Sequence, residues 1–387
     1  MRAFALLPSL LLIACGPAAS SDAGGPTDAG VTDAGSSDAG ASPDAGLVTT
    51  LRVRYPAGAQ AVFARGSKAP LNWNTGLPMV KVGDDAWTLA LPTLVEGLEW
   101  KPLLDDATWS KGPNYNGRLG VVNEVFPHFF RDTGEWTVRW PTFTSALLGN
   151  ARGVWVYLPP TYLENAAARM PVVYMHDGQN LFDPNAAFGR VTWGVPQAMD
   201  SAAGDARFRE AIVVGPNNNA NRIPEYTPTM DTMYGGGNGD LYLRMLVEEL
   251  KPKVDAELRT RPGREDTLLI GSSLGGLITS YAGVRKADTF GFIGVMSPSV
   301  WWDNRVLLTF VGQTSATRPV RVYVDCGDNE ATNVVTDTTD LVLAYRALGY
   351  VDDSTLKYVV QPGAAHTESA WASRLPGALQ FLLGPGR

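Results

Sequence analysis

Gly271-Ser272-Ser273-Leu274-Gly275 follows directly on the apolar run Thr267-Leu268-Leu269-Ile270 and opens an apolar stretch suited to a helix. A G-x-S-x-G segment between strand and helix is a tight, strained turn. Its glycines let the two elements approach closely while the serine hydroxyl stands free. This order of strand, elbow and helix points to an α/β chain and makes Ser273 the expected nucleophile.

A serine hydroxyl is a poor nucleophile near neutrality and needs a base; in this class the acid and the histidine follow the serine in the chain. The sequence has three histidines, His128, His176 and His366, and only His366 lies beyond Ser273. It sits in a small-residue loop, Gly363-Ala364-Ala365, after the strand-like Leu356–Val360. The acid is expected after the strand-like Val320–Val324, where Asp325, Asp328 and Glu330 compete and spacing does not choose. Whichever faces His366 would fix the imidazole tautomer and stabilise the imidazolium.

The rest of the C-terminal part alternates strands and helices, which predicts a mostly parallel sheet flanked by helices on both faces. Strands are expected at 153–158, 171–175, 211–215, 267–270, 291–296, 320–324 and 356–360. Helices are expected at 241–258, 275–284, 339–348 and 371–383. Loops beyond the strand carboxyl ends should gather Ser273, the acid and His366.

Four stretches carry a family resemblance: Tyr174-Met175-His176-Asp177-Gly178-Gln179-Asn180, Ile270 to Leu277, Met296-Ser297-Pro298-Ser299-Val300-Trp301-Trp302, and His366 to Trp371. In this order they resemble the esterase family of α/β-hydrolases that includes enterochelin, feruloyl and acetyl-xylan esterases, formylglutathione hydrolases and mycolyltransferases. The resemblance implies Glu330 as the acid, with Asp328 and Asp325 as alternatives. It implies that the backbone N–H of Gln179 joins that of Leu274 in an oxyanion hole, and that His176 and Asp177 are structural, not metal ligands. No cofactor is implied.

The chain opens with Met1-Arg2 and the apolar Ala3–Ile13, and Leu12-Ile13-Ala14-Cys15 resembles a bacterial lipobox with lipidation at Cys15. This run is too short for a permanent membrane helix. Five Asp-Ala-Gly triplets follow between Asp22 and Gly46, without aromatic residues. Such composition suits a disordered tether. The expected organisation is a leader at 1–15, a tether at 16–47, a β-sandwich at 48–143 and a hydrolase domain at 144–387, displayed from a bacterial envelope by a lipid anchor. The formal net charge of −7, without a basic run, gives no footprint for nucleic acid.

Between residues 48 and 143 short alternating strands are broken by Gly, Pro and Asn, the pattern of a small all-β sandwich. The segment is rich in tryptophan and loosely resembles starch-binding modules, which implies a sugar platform of Trp73, Lys101, Trp109 and Asn114. Tryptophan equally forms sandwich cores, and such a module can serve only to shape the entrance of a site. The polar, glycine-rich insertion 217–240 reads as an active-site loop. Its Arg222 and Tyr226, with Trp193, Trp301 and Trp302, are the expected lining of the substrate cleft.

The reading that follows is a serine carboxylesterase acting through an acyl-enzyme on an acylated carbohydrate, feruloyl, acetyl or siderophore-type ester. An acyltransferase with the same triad and a non-catalytic glycan-binding surface protein are the alternatives.

Overall fold

The computed structural model describes residues 48–92, 96–313 and 317–385. Cys15 and the tether lie outside these. Among the described residues no helix is long and apolar enough to cross a membrane.

The C-terminal part is built on one eight-stranded sheet, numbered here β1 (Glu135–Ser145), β2 (Asn150–Leu158), β3 (Val172–Met175), β4 (Ile212–Pro216), β5 (Thr267–Ser273), β6 (Phe292–Pro298), β7 (Arg321–Gly327) and β8 (Leu356–Gln361). Its order is β1-β2-β4-β3-β5-β6-β7-β8. The β1–β2 and β2–β4 pairs are antiparallel, and all later pairs are parallel. The central strands are buried on both faces, with residues alternating between two cores. Val172, Tyr174, Leu269, Ile293 and Val295 enter one. Val173, Met175, Leu268, Ile270 and Met296 enter the other. Continuous apolar strands covered on both sides are what a parallel sheet demands.

The boundary expected at residue 143 is corrected. Glu135–Ser145 pairs with β2 along the hydrolase sheet. As a mostly exposed edge strand it lacks a clean apolar alternation, and its register shifts on both sides of Trp140, next to Pro141. Proline is tolerated at such irregular edge positions because no ladder donor is needed there. The helix expected at 241–258 runs unbroken from Gly239 to Glu257, with a π-helical stretch at Met245–Leu250 between its α-helical ends.

Ahead of this sheet, a four-stranded and a five-stranded sheet enclose a core of Leu51, Val53, Val62, Trp87, Leu98, Trp100 and Leu104. The sandwich is tied to the hydrolase part by polar contacts. Asn165 Nδ2 donates to the carbonyls of Arg54 and Pro127 at 2.8 and 2.9 Å. Glu164 accepts from the Tyr55 hydroxyl at 3.0 Å and from the Phe129 N–H at 2.6 Å.

Candidate active site

Ser273 ends β5 at φ 58°, ψ −122° and caps the helix Leu274–Arg285. A non-glycine residue at such a dihedral is strained and persists only where its surroundings enforce it. Here they do. A Cβ on Gly271 would lie 2.6 Å from the Gly275 carbonyl oxygen, and one on Gly276 would lie 2.7 Å from that of Met296. The Ser273 hydroxyl projects beyond the sheet and lies 3.5 Å from Ser299 Oγ.

The strands on one side supply the other groups. Glu330 follows β7 and His366 follows β8. Glu330 Oε2 accepts from His366 Nδ1 at 2.9 Å, which leaves Nε2 as the free ring nitrogen. Glu330 Oε1 accepts from the Ser297 hydroxyl and the Gly327 N–H, both at 2.6 Å. Burial opposes ionisation of Glu330, but the hydrogen bonds from His366, Ser297 and Gly327 outweigh it and hold the carboxyl below its usual range. Of the three competing carboxylates, this one alone meets the imidazole. Asp328 instead accepts from the Gly363 N–H at 2.6 Å, bracing the loop that carries His366. Asp325 lies inside the sheet beside Arg374, 3.0 Å away, and burial pushes it up to about 6 against that pairing.

Arg374, from the last helix Glu368–Leu383, is a residue the sequence reading missed. It donates to Ser297 Oγ at 2.8 Å and to Gln361 at 2.9 Å, and its side chain is 3% exposed. An arginine three residues beyond Trp371 in an otherwise apolar stripe was the available signal. The Trp371 indole donates to the same Ser297 hydroxyl at 2.9 Å. Ser297 therefore accepts twice and donates once, to the acid.

The loop after β3 forms the facing wall. Asp177 adopts a left-handed conformation and leads into the turn Gly178–Asn180, where a Cβ on Gly178 would lie 2.0 Å from the Gly215 carbonyl oxygen. Arg222 grips both oxygens of Asp177, and Asn218 Nδ2 donates to one at 2.6 Å. Burial would raise the Asp177 pKa; the neighbouring Arg222 lowers it overall. His176 is buried below the elbow with Nδ1 2.9 Å from the Tyr242 hydroxyl, and burial pushes its pKa down to about 4.

Ser273, His366, Gln179, Trp193 and Arg222 line one cavity of about 390 Å³, together with Asp177, Asn218, Phe188 and Trp371. Leu274 adjoins it as the first residue of the helix after Ser273. Three expected lining residues are corrected. Tyr226 is fully buried and accepts from the Asp177 N–H at 3.2 Å, because the insertion folds inward at that point. Trp302 is also buried, its indole donating to the Thr229 carbonyl at 3.1 Å. Trp301 is half-exposed and lies outside the cavity wall. Among the described residues no group of three or more His, Cys, Asp and Glu could hold a metal ion.

On the sandwich, Trp73 and Trp109 stand side by side with ring centroids 6.2 Å apart. Lys101 is committed to the Gly112 carbonyl and Asn114 to Glu99, at 3.2 Å.

The parallel sheet, the strained elbow and the histidine facing a carboxylate define an α/β-hydrolase, a serine hydrolase acting on ester bonds. Residues 145–382 match the family model described as "Putative esterase", and the chain belongs to that family. It is 26% identical over 254 residues to the uncharacterized protein YbbA of Bacillus subtilis, covering 62% of this chain and 95% of that protein. To the endo-1,4-beta-xylanase/feruloyl esterase of Xylanibacter ruminicola it is 23% identical over 271 residues, 68% of this chain and 34% of that protein. A solved ferulic acid esterase shares the fold with a TM-score of 0.52 at 21% identity, over 65% of this chain and 98% of that one.

Proposed function

We propose that the chain hydrolyses a carboxylic ester in two steps through an acyl-enzyme on Ser273. The observation that carries this reading is the His366–Glu330 contact of 2.9 Å, set at the wall of the cavity that Ser273 also lines. His366 Nε2 takes the proton from Ser273 Oγ as that oxygen bonds to the ester carbonyl carbon. The N–H groups of Gln179 and Leu274 stabilise the oxyanion. The imidazolium, steadied by ionised Glu330, returns the proton to the leaving alcohol as the C–O bond breaks; water then repeats the sequence and releases the acid. A fluorophosphonate probe should label the wild type and not Ser273→Ala. Undiminished labelling of the variant would remove the nucleophile assignment.

An acylated carbohydrate is the substrate class we favour. Its support is the Trp73 and Trp109 pair, 36% and 39% exposed on the sandwich, since paired indole faces suit sugar rings. With Lys101 and Asn114 held by internal partners, stacking would carry the contact. Retention on insoluble polysaccharide should fall in Trp73→Ala and Trp109→Ala; equal retention would make the module purely structural. If sugars added to the assay take up the acyl group, the same residues serve acyl transfer instead. Display from the envelope through Cys15 is part of this reading, and Cys15→Ala should release the protein from the membrane fraction.

A further inference from the structure

Ser297 is out of step with its strand. In the pairing of β5 with β6, Ser272 faces Met296 and Ser273 faces Pro298, so Ser297 is an extra residue without a counterpart on β5. Its φ is 39°, a left-handed value that costs energy away from glycine. A bulge of this kind bends a strand and re-aims a side chain. Neighbouring residues of a regular strand point to opposite faces, yet Met296 and Ser297 both meet the last helix, Glu368–Leu383. Met296 shares a core with Trp371 and Leu375. Ser297 Oγ accepts from Trp371 Nε1 at 2.9 Å and from Arg374 Nη2 at 2.8 Å.

These partners fix which way the hydroxyl proton points. A hydroxyl offers one proton and two lone pairs, whereas an indole N–H and a guanidinium only donate. Trp371 and Arg374 therefore take both lone pairs of Ser297 Oγ. Its proton is left for Glu330 Oε1, 2.6 Å away. The same Oε1 accepts from the Gly327 N–H at 2.6 Å, and Arg374 Nη2 lies 3.5 Å from it. With Oε1 held in this way, Oε2 is the oxygen turned to His366 Nδ1. Burial works against the charge on Glu330, and its donors, His366 first and Ser297 next, outweigh that cost.

The surroundings keep this arrangement in place. Ser297 is 1% exposed and the Glu330 side chain is buried, so water does not compete for the bond between them. Asp325 steadies the donor side: its Oδ1 accepts from the Ser297 N–H at 3.2 Å, and its Oδ2 lies 3.0 Å from Arg374 Nε. The same strand end reaches the nucleophile, since the Ser299 N–H donates to the Ser273 carbonyl at 3.0 Å. Ser297 itself is not among the residues that line the cavity.

We infer that Ser297 is a positioning residue for the triad: its hydroxyl, locked as a donor by Trp371 and Arg374, sets the Glu330 carboxylate so that Oε2 faces His366. This deepens the esterase reading and rests on it. Ser297 acts through Glu330 and touches no substrate, so its loss bears on kcat and not on KM.

The test is a double-mutant cycle on hydrolysis of p-nitrophenyl acetate by the full chain. Ser297→Ala should lower kcat about tenfold with KM unchanged, a scale common for residues of one hydrogen-bond network. In a Glu330→Gln background the same substitution should change kcat by less than about twofold, because the group it acts through is already lost. Ser297→Cys fills the space of the serine but donates weakly, so its kcat should fall as in Ser297→Ala; it also carries the cycle if the alanine variant does not fold. Full activity in Ser297→Cys, or equal losses in both backgrounds, would overturn the positioning role while leaving the esterase reading intact. A wild type that neither cleaves the ester nor reacts with a fluorophosphonate would overturn both.

Discussion

Arg222 holds Asp177 with two parallel hydrogen bonds of 2.9 Å, Nε to Oδ1 and Nη2 to Oδ2. The insertion at 217–240 is thereby fastened to the turn that carries Gln179, and Asn218 adds a second tie by donating its N–H to Gln179 Oε1 at 3.1 Å. Expected from sequence as a substrate contact, Arg222 lines the cavity and also braces the turn that carries Gln179.

Breaking that pair should therefore cost both stability and rate. Arg222→Met leaves a buried carboxylate without its partner, a loss of about 3 kcal/mol. Urea unfolding should show it. kcat should fall while a conservative Arg222→Lys, which keeps the charge but not the fork, recovers stability better than rate. Equal recovery of both would argue against positioning.

Glu330→Gln should lower kcat by about 10³ to 10⁴-fold, the scale for losing the charge behind a catalytic histidine. Asp328→Asn should lower it far less, because Asp328 touches the Gly363 N–H and not the imidazole. A larger loss in Asp328→Asn would reassign the acid.

Acid stability should carry two opposed contributions. His176 has its folded pKa lowered from 6.5 to about 4 by burial. The unfolded chain binds that proton first, so stability present above pH 6.5 is lost as pH falls toward 4, by about 3 kcal/mol in the limit. Asp325 runs the other way: its folded pKa is raised from 3.8 to about 6, so its contribution is present at low pH and lost as pH rises through 6. Unfolding free energies at pH 4.5 and 7.0 should show a smaller acid loss in His176→Gln than in the wild type. A steeper loss would show that His176 is not the group responsible.

Gly271→Ala forces a Cβ to 2.6 Å from both the Gly275 carbonyl oxygen and His176 Cδ2. The elbow must then shift, and labelling of Ser273 by a fluorophosphonate should slow about 100-fold, as small displacements of a reacting group do. An unchanged labelling rate would show that the turn tolerates more freedom than its geometry implies.

Much of this was legible because it follows from local demands. The elbow announces itself through its small residues, above all Gly271, where a Cβ would lie 2.6 Å from the Gly275 carbonyl oxygen, and the parallel strands through unbroken apolar runs. With His366 the sole histidine beyond Ser273, the base followed by elimination. Strand β1 was not legible, since an exposed edge strand with Pro141 needs no apolar alternation. Tyr226 and Trp302 were misplaced because an aromatic residue in a polar insertion can turn either way, and only tertiary packing decides. Ser297 stood in a noted motif, yet its hydroxyl's triple duty depends on Arg374 and Trp371, more than seventy residues away in sequence.

The Trp371 ring stands nearly perpendicular to the His366 imidazole, 5.0 Å between centroids. Indole emission responds to what is packed against the ring, so the chain carries a built-in optical gauge at the edge of its candidate site. Because Trp371 also lines the cavity, its emission would reveal, through light alone, when a ligand comes to fill that recess.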